Sequence, residues 1–238
     1  CAFGNFNDYR SASEITRRGQ ETIKWIIEII RSEGYDLLLS DTDSIYFSCD
    51  SVRVDDLVRL VNNQLPKLIN VKYEGHFKAG FFLKAKNYAL LKDDDTIKLK
   101  GVSLKARNVE QFIKDFKHHV IQCLLKGTEK QIQATYEWLC ISLANKSTEI
   151  CDIKKTDTIK EPLESYKRKI DNNERNRAAV YELALKDKNR KYQAGDQISY
   201  YITGDKKNVR AFEMAKLATD YNNDHNVAYY QAKLLKEF

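Results

Sequence analysis

The first half of the chain alternates between hydrophobic patterns of helical spacing and of strand-like spacing. Apolar residues recur at helical spacing over 11–31 and again over 54–68, which predicts two amphipathic helices. Between them, two short apolar runs of strand length flank the turn-prone sequence Asp41-Thr42-Asp43. We therefore predict a β-hairpin that carries Asp41 and Asp43 at its tip.

The pattern changes again after these elements. Two strands are predicted at 77–91 and 96–104, joined by an Asp-rich turn. Beyond them, helical spacing over 109–125 and 129–145 predicts two antiparallel helices joined at Gly127. The later segments are predicted as helices at 173–187, 211–219 and 227–237 and as one strand at 198–203. Together these elements predict an α+β fold, with antiparallel sheet and flanking helices first and a mainly helical part second.

The two aspartates at the hairpin tip are the first candidate functional groups. Carboxylates two residues apart on rigid strands repel each other, and a cation bound between them would relieve that repulsion. Asp41 and Asp43 are therefore candidate metal ligands and candidate catalytic residues. The alternative is an ordinary solvated turn rich in aspartate, and the pattern alone leaves both interpretations open.

Polar side chains on the two strands that follow the hairpin are a second candidate. They are Lys84, Lys86, Tyr88 and Lys100, and Arg107 follows the second strand. One interpretation is a basic surface beside the acidic tip, which would suit a phosphate backbone. The other is a half-solvated sheet whose lysines face water.

The charge balance is compatible with a polyanionic partner but does not require one. Lysine and arginine total 40 against 34 aspartates and glutamates, which gives a net charge of +6. Six of these lysines and arginines lie in the polar segment 147–173, among them Lys160 and Lys167. We predict that these lysines contact phosphates; a solvated connector is the alternative.

The composition is that of an ordinary globular protein. Hydrophobic residues make up 42% of the 238 residues, which is enough for a packed core. The five cysteines are scattered without a CxxC pair, which favours reduced thiols over a zinc site or a disulfide scaffold. No apolar run approaches about 18 residues, and no cleavable signal is visible, so we expect a cytoplasmic protein without a membrane partner. Few prolines and glycines beside abundant lysine, isoleucine and glutamate suggest a thermophilic source.

Several motifs, in order along the chain, resemble those of archaeal-type family B DNA polymerases. Asp41-Thr42-Asp43-Ser44 after a strand resembles the third palm motif of the family. Lys86-Asn87-Tyr88 resembles its Lys-x-Tyr motif, and Lys100-Gly101 with Arg107 resembles the strand that follows. The other matches are 2–5 and 12–20, which resemble the segment after the second palm motif, and 159–167, 194–201 and 227–230, which resemble the archaeal thumb. Each motif is short, but the ordered set spans nearly the whole chain.

The resemblance implies a domain division and a metal site. It implies the C-terminal part of a polymerase palm over 1–107, followed by a thumb over 108–238. Asp43 matches the carboxylate that binds both catalytic metal ions, and Asp41 matches its neighbour, which contributes less directly. Two Mg²⁺ ions are the implied cofactors, with Mn²⁺ as a substitute.

The resemblance also implies the binding partners of the chain. Primer-template DNA and deoxynucleoside triphosphates are the implied substrates, and the nucleoid is the implied location. Lys86 and Tyr88 match groups that hold the primer end of the duplex. The further residues that we predict to contact DNA are Lys84, Lys100, Arg107, Lys160 and Lys167.

Parts of the family pattern are absent from this sequence. The first palm motif, Asp-x-x-Ser-Leu-Tyr-Pro, supplies the other metal carboxylate, and a lysine of the second motif contacts the incoming triphosphate; neither motif is present. The N-terminal, exonuclease and finger regions are missing as well. We therefore expect the small chain of a split polymerase, active only with a larger chain that carries these parts. Cys1 would suit the acceptor residue after an excised intein, as in a nanoarchaeal family member, although a gene boundary at a cysteine explains it equally well.

Two other functions remain open at the level of sequence. A non-catalytic subunit could keep the fold and bind duplex DNA without any need for metal. An apolar strand followed by Asp-x-Asp also suits a magnesium-dependent, haloacid-dehalogenase-like phosphatase, with Asp41 as nucleophile and Asp43 as general acid and base. That fold would need alternating βα units downstream of the motif.

Overall fold

The computed structural model describes residues 8–49, 53–84, 86–101 and 109–238. The first part of the chain contains α1 (Tyr9–Ser32), β1 (Asp36–Ser40), β2 (Ile45–Ser48), α2 (Val54–Gln64), β3 (Ala79–Lys84), β4 (Asn87–Leu91) and β5 (Ile97–Lys100). The second part contains α3 (Gln111–Lys126), α4 (Lys130–Ala144), α5 (Ile150–Ile153), β6 (Lys155–Thr158), α6 (Leu163–Asp171), α7 (Ala179–Lys186), β7 (Gln197–Ile202), α8 (Ala211–Met214), β8 (Ala215–Leu217), a 3-10 turn (Ala218–Asp220) and α9 (Val227–Leu235). This mixture of helices and small sheets confirms the predicted α+β class. Cys1, the motif at 2–5 and Arg107 lie outside the described residues.

The strands form three separate antiparallel sheets in the described residues. One is the two-stranded sheet β1-β2, and the others have the orders β3-β4-β5 and β6-β7-β8. Between one sheet and the next there is no backbone pairing in this part of the chain. Their relative positions therefore depend on side-chain packing.

The β1-β2 hairpin packs against the C-terminal half of α1 and against α2. Helix α1 begins at Asp8, whose carboxylate accepts hydrogen bonds from the backbone N–H groups of Arg10 and Ser11. Its buried residues all lie near its C-terminal end and pack on α2; the cluster consists of Ile26, Ile29, Ile30, Leu57, Val61 and Leu65. The hairpin is thus held from one side by two helices.

No helix in the described ranges is both long and apolar enough to cross a membrane.

Helix α3 contacts two hydrophobic clusters. Its C-terminal residues Ile121 and Leu125 pack on Ala89 and Leu91 of β4. Its N-terminal residues Phe112, Ile113 and Phe116 belong to the large core of the second part, together with buried residues of α4, α6, α7, β7 and α9. Each fully buried leucine or isoleucine contributes roughly 1.5–3 kcal/mol. The helix therefore joins the β3-β4-β5 sheet firmly to the later part of the chain.

Helix α9 is tied to the start of α3 by a buried ion pair. The Lys233 ammonium lies 2.6 Å from both carboxylate oxygens of Glu110, which is 1% exposed. Removing Lys233 would leave the buried carboxylate of Glu110 without its partner, which typically costs about 3–5 kcal/mol.

Four sequence predictions need correction. The strand predicted at 77–91 is two strands, because the backbone reverses at Lys86 with a positive φ of 61°. The helix predicted at 54–68 ends at Gln64, since Leu65 precedes a proline and adopts an extended conformation. The helix predicted at 211–219 ends at Met214, and β8 then pairs with β7. The helix predicted at 173–187 begins only at Ala179.

The segment 147–173 is not a bare connector. It contains α5, β6 and α6, and its residues Ile153, Ile159 and Tyr166 are fully buried in the large core. Polar composition hid this because the apolar residues are few and widely spaced. By contrast, α3 and α4 are joined at Gly127 as predicted, with that glycine in the left-handed conformation at the helix end.

Gly101, directly after β5, allows a close approach that other residues would block. Its φ is 105°, and a Cβ at this position would collide with the backbone carbonyl oxygen of Lys86 and the side chain of Asn87. Gly195 has a similar φ of 101° but open space where a Cβ would lie. Alanine substitutions at Gly101 and Gly195 can therefore separate the cost of backbone strain from the cost of the steric collision.

We expect Gly101→Ala to lower the free energy of unfolding more than Gly195→Ala. Both variants place alanine in the left-handed region, at about 1–2 kcal/mol each, but only the first also pushes the Lys86 turn away. Urea unfolding of the two variants beside the wild type measures the difference. Equal losses would show that the contact with Lys86 is not tight.

His225 is a buried histidine whose protonation should matter for stability. Its Nε2 lies 3.1 Å from the carbonyl oxygen of Leu143 and its Nδ1 lies 2.8 Å from the Tyr221 hydroxyl. Burial lowers the pKa of His225, with a smaller lowering from the charge of Lys146. In the folded state the neutral ring is therefore favoured, while the unfolded chain takes up a proton near the ordinary value of 6.5.

We expect the free energy of unfolding to fall as the pH drops below about 6.5. In that range His225 binds a proton more readily in the unfolded state, where its pKa is higher, so protonation favours unfolding. Above that pH the contribution of His225 is fully present. His225→Gln should flatten the slope between pH 7 and 5 in denaturant titrations, whereas His118→Gln, at an exposed position of α3, should keep it. An unchanged slope in His225→Gln would contradict the assignment.

Candidate functional site

The two predicted aspartates lie at the tip of the β1-β2 hairpin, as the sequence indicated. The backbone N–H of Asp41 donates to the carbonyl oxygen of Ser44 at 2.8 Å, which closes the tip. One carboxylate oxygen of Asp41 accepts a hydrogen bond from the backbone N–H of Thr42 at 2.8 Å. Asp41 is half-buried, whereas Asp43 is exposed. Asp41 therefore helps to fix the turn, and Asp43 presents its carboxylate to solvent.

The hairpin offers part of a site for a hard divalent cation. Carboxylate oxygens are the ligands that Mg²⁺ prefers, and it is usually bound by one or two of them together with waters and substrate phosphates. Asp43 and the second oxygen of Asp41 fit that description. Within the described residues, however, no group of three or more His, Cys, Asp or Glu side chains could hold a metal ion. A further protein ligand would therefore have to come from outside these described residues.

The predicted basic residues of the following sheet gather at one end of it. Lys84 ends β3, Lys86 forms the turn into β4, and Lys100 ends β5. Lys84 and Lys86 are exposed and Lys100 is half-buried. The antiparallel order β3-β4-β5 is what brings these three lysines together.

The hairpin and this sheet meet through two tyrosines. The hydroxyl oxygens of Tyr46 on β2 and Tyr88 on β4 lie 3.2 Å apart, and their rings make an edge contact with centroids 5.4 Å apart. The ring of Tyr46 also lies near Phe77, and that of Tyr88 near Phe82. This aromatic cluster joins the acidic hairpin to the basic end of the sheet.

Tyr88 does not present a surface to DNA in this structure. Its exposed fraction is 0%, so its side chain is packed inside this part of the chain, and the predicted contact with the primer stays a prediction. Burial raises the pKa of Tyr88, and its hydrogen bond with Tyr46 raises it further. The tyrosine therefore stays neutral and acts as a buried hydrogen-bonding group between two sheets.

Lys100 connects the tyrosine pair with the acidic tip. Its ammonium lies 5.8 Å from the centre of the Tyr88 ring. Interaction with the Tyr88 hydroxyl raises the pKa of Lys100, and the charge of Asp41 adds a smaller increase. Lys100 is thus a permanent cation within electrostatic range of Asp41.

Lys160 and Lys167 lie in a different part of the molecule. Both side chains are exposed, and the backbone N–H of Lys160 donates to the Tyr181 hydroxyl at 3.0 Å. Neighbouring cations are already paired, because Glu161 binds both Lys169 and Arg175. Arg175 in turn lies over the stacked rings of Tyr166 and Tyr181. The two predicted lysines are thus among the exposed cations of this region.

An apolar groove beside Asp43 was not predicted. It has a volume of about 410 Å³ and lies between α1, α2, β2 and the segment 70–77, with Asp43 and Ser44 in its lining. The Ser44 hydroxyl oxygen is buried and has no hydrogen-bond partner among the described residues. A groove formed by four segments far apart in sequence leaves no local pattern from which it could be found.

Tyr46 is the residue of the site that sequence reasoning missed. The alternation of β2 indicated only that it belongs to a strand, and its partner lies 42 residues away. A tyrosine three residues after the Asp-x-Asp motif was the one available signal.

Comparison with known proteins gives a consistent result. The profile of DNA polymerase family B matches residues 2–238. DNA polymerase 1 from Pyrococcus abyssi is 27% identical over 122 residues, which are 48% of this chain and 16% of that polymerase. The DNA polymerase from Thermococcus gorgonarius is 28% identical over 123 residues, with the same two shares. The chain therefore spans only 16% of the length of these relatives.

The fold is shared over nearly the whole chain. The structure of the family B DNA polymerase from the hyperthermophilic archaeon Pyrobaculum calidifontis matches with a TM-score of 0.77 at 21% identity, covering 98% of this chain and 30% of that one. The phosphatase alternative required alternating βα units, whereas the strand pairs of the described residues are antiparallel. The profile match extends over all but the first residue. The resemblance noted in the sequence is thereby confirmed: this chain belongs to DNA polymerase family B.

Proposed function

We propose that this chain is the C-terminal part of a DNA-directed DNA polymerase that adds deoxynucleotides to a primer 3′-hydroxyl. Residues 1–107 would form part of the palm and 108–238 the thumb. The observation that carries the proposal is the exposed carboxylate of Asp43 on a hairpin packed against the lysine-bearing end of a sheet, in a chain of this family. An acidic group for metal and a basic surface for phosphates are the two parts that primer extension needs side by side.

Asp43 and Asp41 are the residues that would hold the metal. Two Mg²⁺ ions, or Mn²⁺ in their place, would supply Lewis-acid stabilisation of the attacking and leaving oxygens. Asp43 is exposed and would be the main ligand. One oxygen of Asp41 accepts the hydrogen bond from the backbone N–H of Thr42, so Asp41 would contribute through its other oxygen. The hydrogen bond from the Asp41 N–H to the Ser44 carbonyl oxygen closes the turn that carries both residues.

The exposed lysines at the end of the sheet would bind the primer strand. Lys84 and Lys86 are exposed and lie together at the β3-β4 turn, where they can neutralise backbone phosphates. Lys100 would act beside them, and Arg107, which lies outside the described residues, stays a predicted DNA contact. On the second part of the chain, Lys160 and Lys167 would contact the duplex further from the reacting end. A protein that extends primers on genomic DNA would act at the nucleoid.

The missing ligands would come from a larger partner chain. One hairpin with two carboxylates cannot complete two metal sites, so a further carboxylate and a triphosphate-binding lysine are needed. We propose that a polypeptide with the N-terminal, exonuclease and finger regions and the first palm motif supplies them. The apolar groove that ends at Asp43 supports this, because a strand seated there would cover apolar surface and reach the site.

We expect Asp43→Asn in the complete polymerase to lower primer extension by more than about 100-fold, as loss of a group that organises transition-state charge commonly does. Affinity for primer-template DNA should stay within twofold. Gel-based extension and fluorescence anisotropy measure the two quantities. Asp56→Asn, which removes an exposed carboxylate from α2, is the matched control. Retained extension in Asp43→Asn would leave only a non-catalytic DNA-binding role.

We expect affinity purification of this chain from its native cells to recover one larger polypeptide in equal amount. Mass spectrometry should identify in it the sequence Asp-x-x-Ser-Leu-Tyr, which this chain lacks. Extension activity should require both polypeptides. Recovery of a single covalent chain that contains both parts, or activity of this chain alone, would contradict the two-chain proposal.

A further inference from the structure

The acidic hairpin and the basic sheet have no backbone ladder in common. β1-β2 and β3-β4-β5 are separate sheets in the described part of the chain, and a two-stranded sheet is only marginally stable by itself. Side chains must therefore set the distance between the carboxylates and the lysines. The contact that spans the two sheets is the hydroxyl pair of Tyr46 and Tyr88, at 3.2 Å.

The environment of Tyr88 makes this contact specific. Its exposed fraction is 0%, and a buried hydroxyl left without a partner costs about 1–3 kcal/mol. Tyr46 supplies a partner from the hairpin, whereas Lys100, whose ammonium lies 5.8 Å from the centre of the Tyr88 ring, belongs to the same sheet as Tyr88 and does not hold the hairpin. A shift of the hairpin by one residue or by a few ångströms would break the hydrogen bond. Ring packing alone would tolerate such a shift far better, since it is less directional.

The pair lies between the two functional groups of the site. Tyr46 is three residues after Asp43, within about 10 Å along the strand at the usual rise per residue. Tyr88 is two residues after Lys86 and is paired with Lys100 in the β4-β5 ladder. Any displacement at this contact therefore moves the carboxylates relative to the lysines. Misplacement of reacting groups by about 1 Å can slow a reaction by about 100-fold.

We propose that Tyr46 is a positioning residue, which through its hydroxyl contact with Tyr88 fixes the carboxylate hairpin relative to the lysines that hold the primer. The inference rests on the proposed polymerase function. It assigns to Tyr46 neither metal binding nor DNA binding. Its effect should therefore appear in the rate of the chemical step and not in the affinity for either substrate.

The test uses Tyr46→Phe and Tyr88→Phe in the complete polymerase, since each removes one hydroxyl and keeps the ring. Each variant should lower kcat for single-nucleotide addition about tenfold. The KM for the deoxynucleoside triphosphate and the Kd for primer-template DNA should stay within twofold. The double variant should be no slower than the slower single variant, because both remove the same contact.

Tyr35→Phe is the matched control. Its ring packs on Phe47 of the same hairpin, with centroids 5.4 Å apart, but away from the Tyr46–Tyr88 pair. This variant should keep the kcat of the wild type, which separates a general weakening of the hairpin from loss of the positioning contact.

Three results would overturn the proposal. They are an unchanged kcat in Tyr46→Phe, multiplying losses in the double variant, and a loss in Tyr35→Phe as large as that in Tyr46→Phe. Asp43→Asn, measured in the same assay, distinguishes a failure of the positioning role from a failure of the proposed polymerase function. If Asp43→Asn abolishes extension and Tyr46→Phe does not slow it, only the positioning role fails; if Asp43→Asn extends normally, the proposed function itself fails.

Discussion

The structure of the site depends on how two small sheets are held against each other without a common backbone ladder. The acidic hairpin is supported by α1 and α2 on one side, and the lysine-bearing sheet is supported by α3 on another. Between them the direct link is aromatic, through Tyr46 and Tyr88. Two rigid units joined by a directional contact can keep opposite charges close without letting them collapse into salt bridges. That is a suitable arrangement for the proposed site, which would bind both cations and phosphates.

Local features of the fold could be predicted from the sequence because their causes are local. The Asp41–Asp43 hairpin follows from two apolar runs around a turn, and the junction of α3 and α4 follows from Gly127. The reversal at Lys86 was missed because a lysine with a positive φ carries no turn signal; the space for it comes from Gly101, which is distant in sequence. β8 was missed for a similar reason, since its pairing with β7 overrides a helical pattern.

The candidate site was predictable in its charges but not in its contacts. Asp43, Lys84 and Lys86 are exposed and available, which their sequence pattern allowed. Tyr88 is buried, and only the fold could show this, because the residue that engages its hydroxyl lies 42 positions away. The net charge also could not show which cations are paired within the chain. Lys169 and Arg175 form ion pairs with Glu161. Lys160 and Lys167, by contrast, are exposed.

We propose that a divalent cation binds at the tip of the β1-β2 hairpin, next to the primer end. Iron-mediated cleavage tests this directly, because Fe²⁺ in a magnesium site reduces added hydrogen peroxide to hydroxyl radicals that cut the nearest backbone, while ascorbate returns the Fe³⁺ to Fe²⁺. In the complete polymerase with primer-template DNA, we expect a cut in this chain close to residues 41–44, which excess Mg²⁺ suppresses. Cleavage confined to other segments, with the hairpin intact, would contradict cation binding at the hairpin tip.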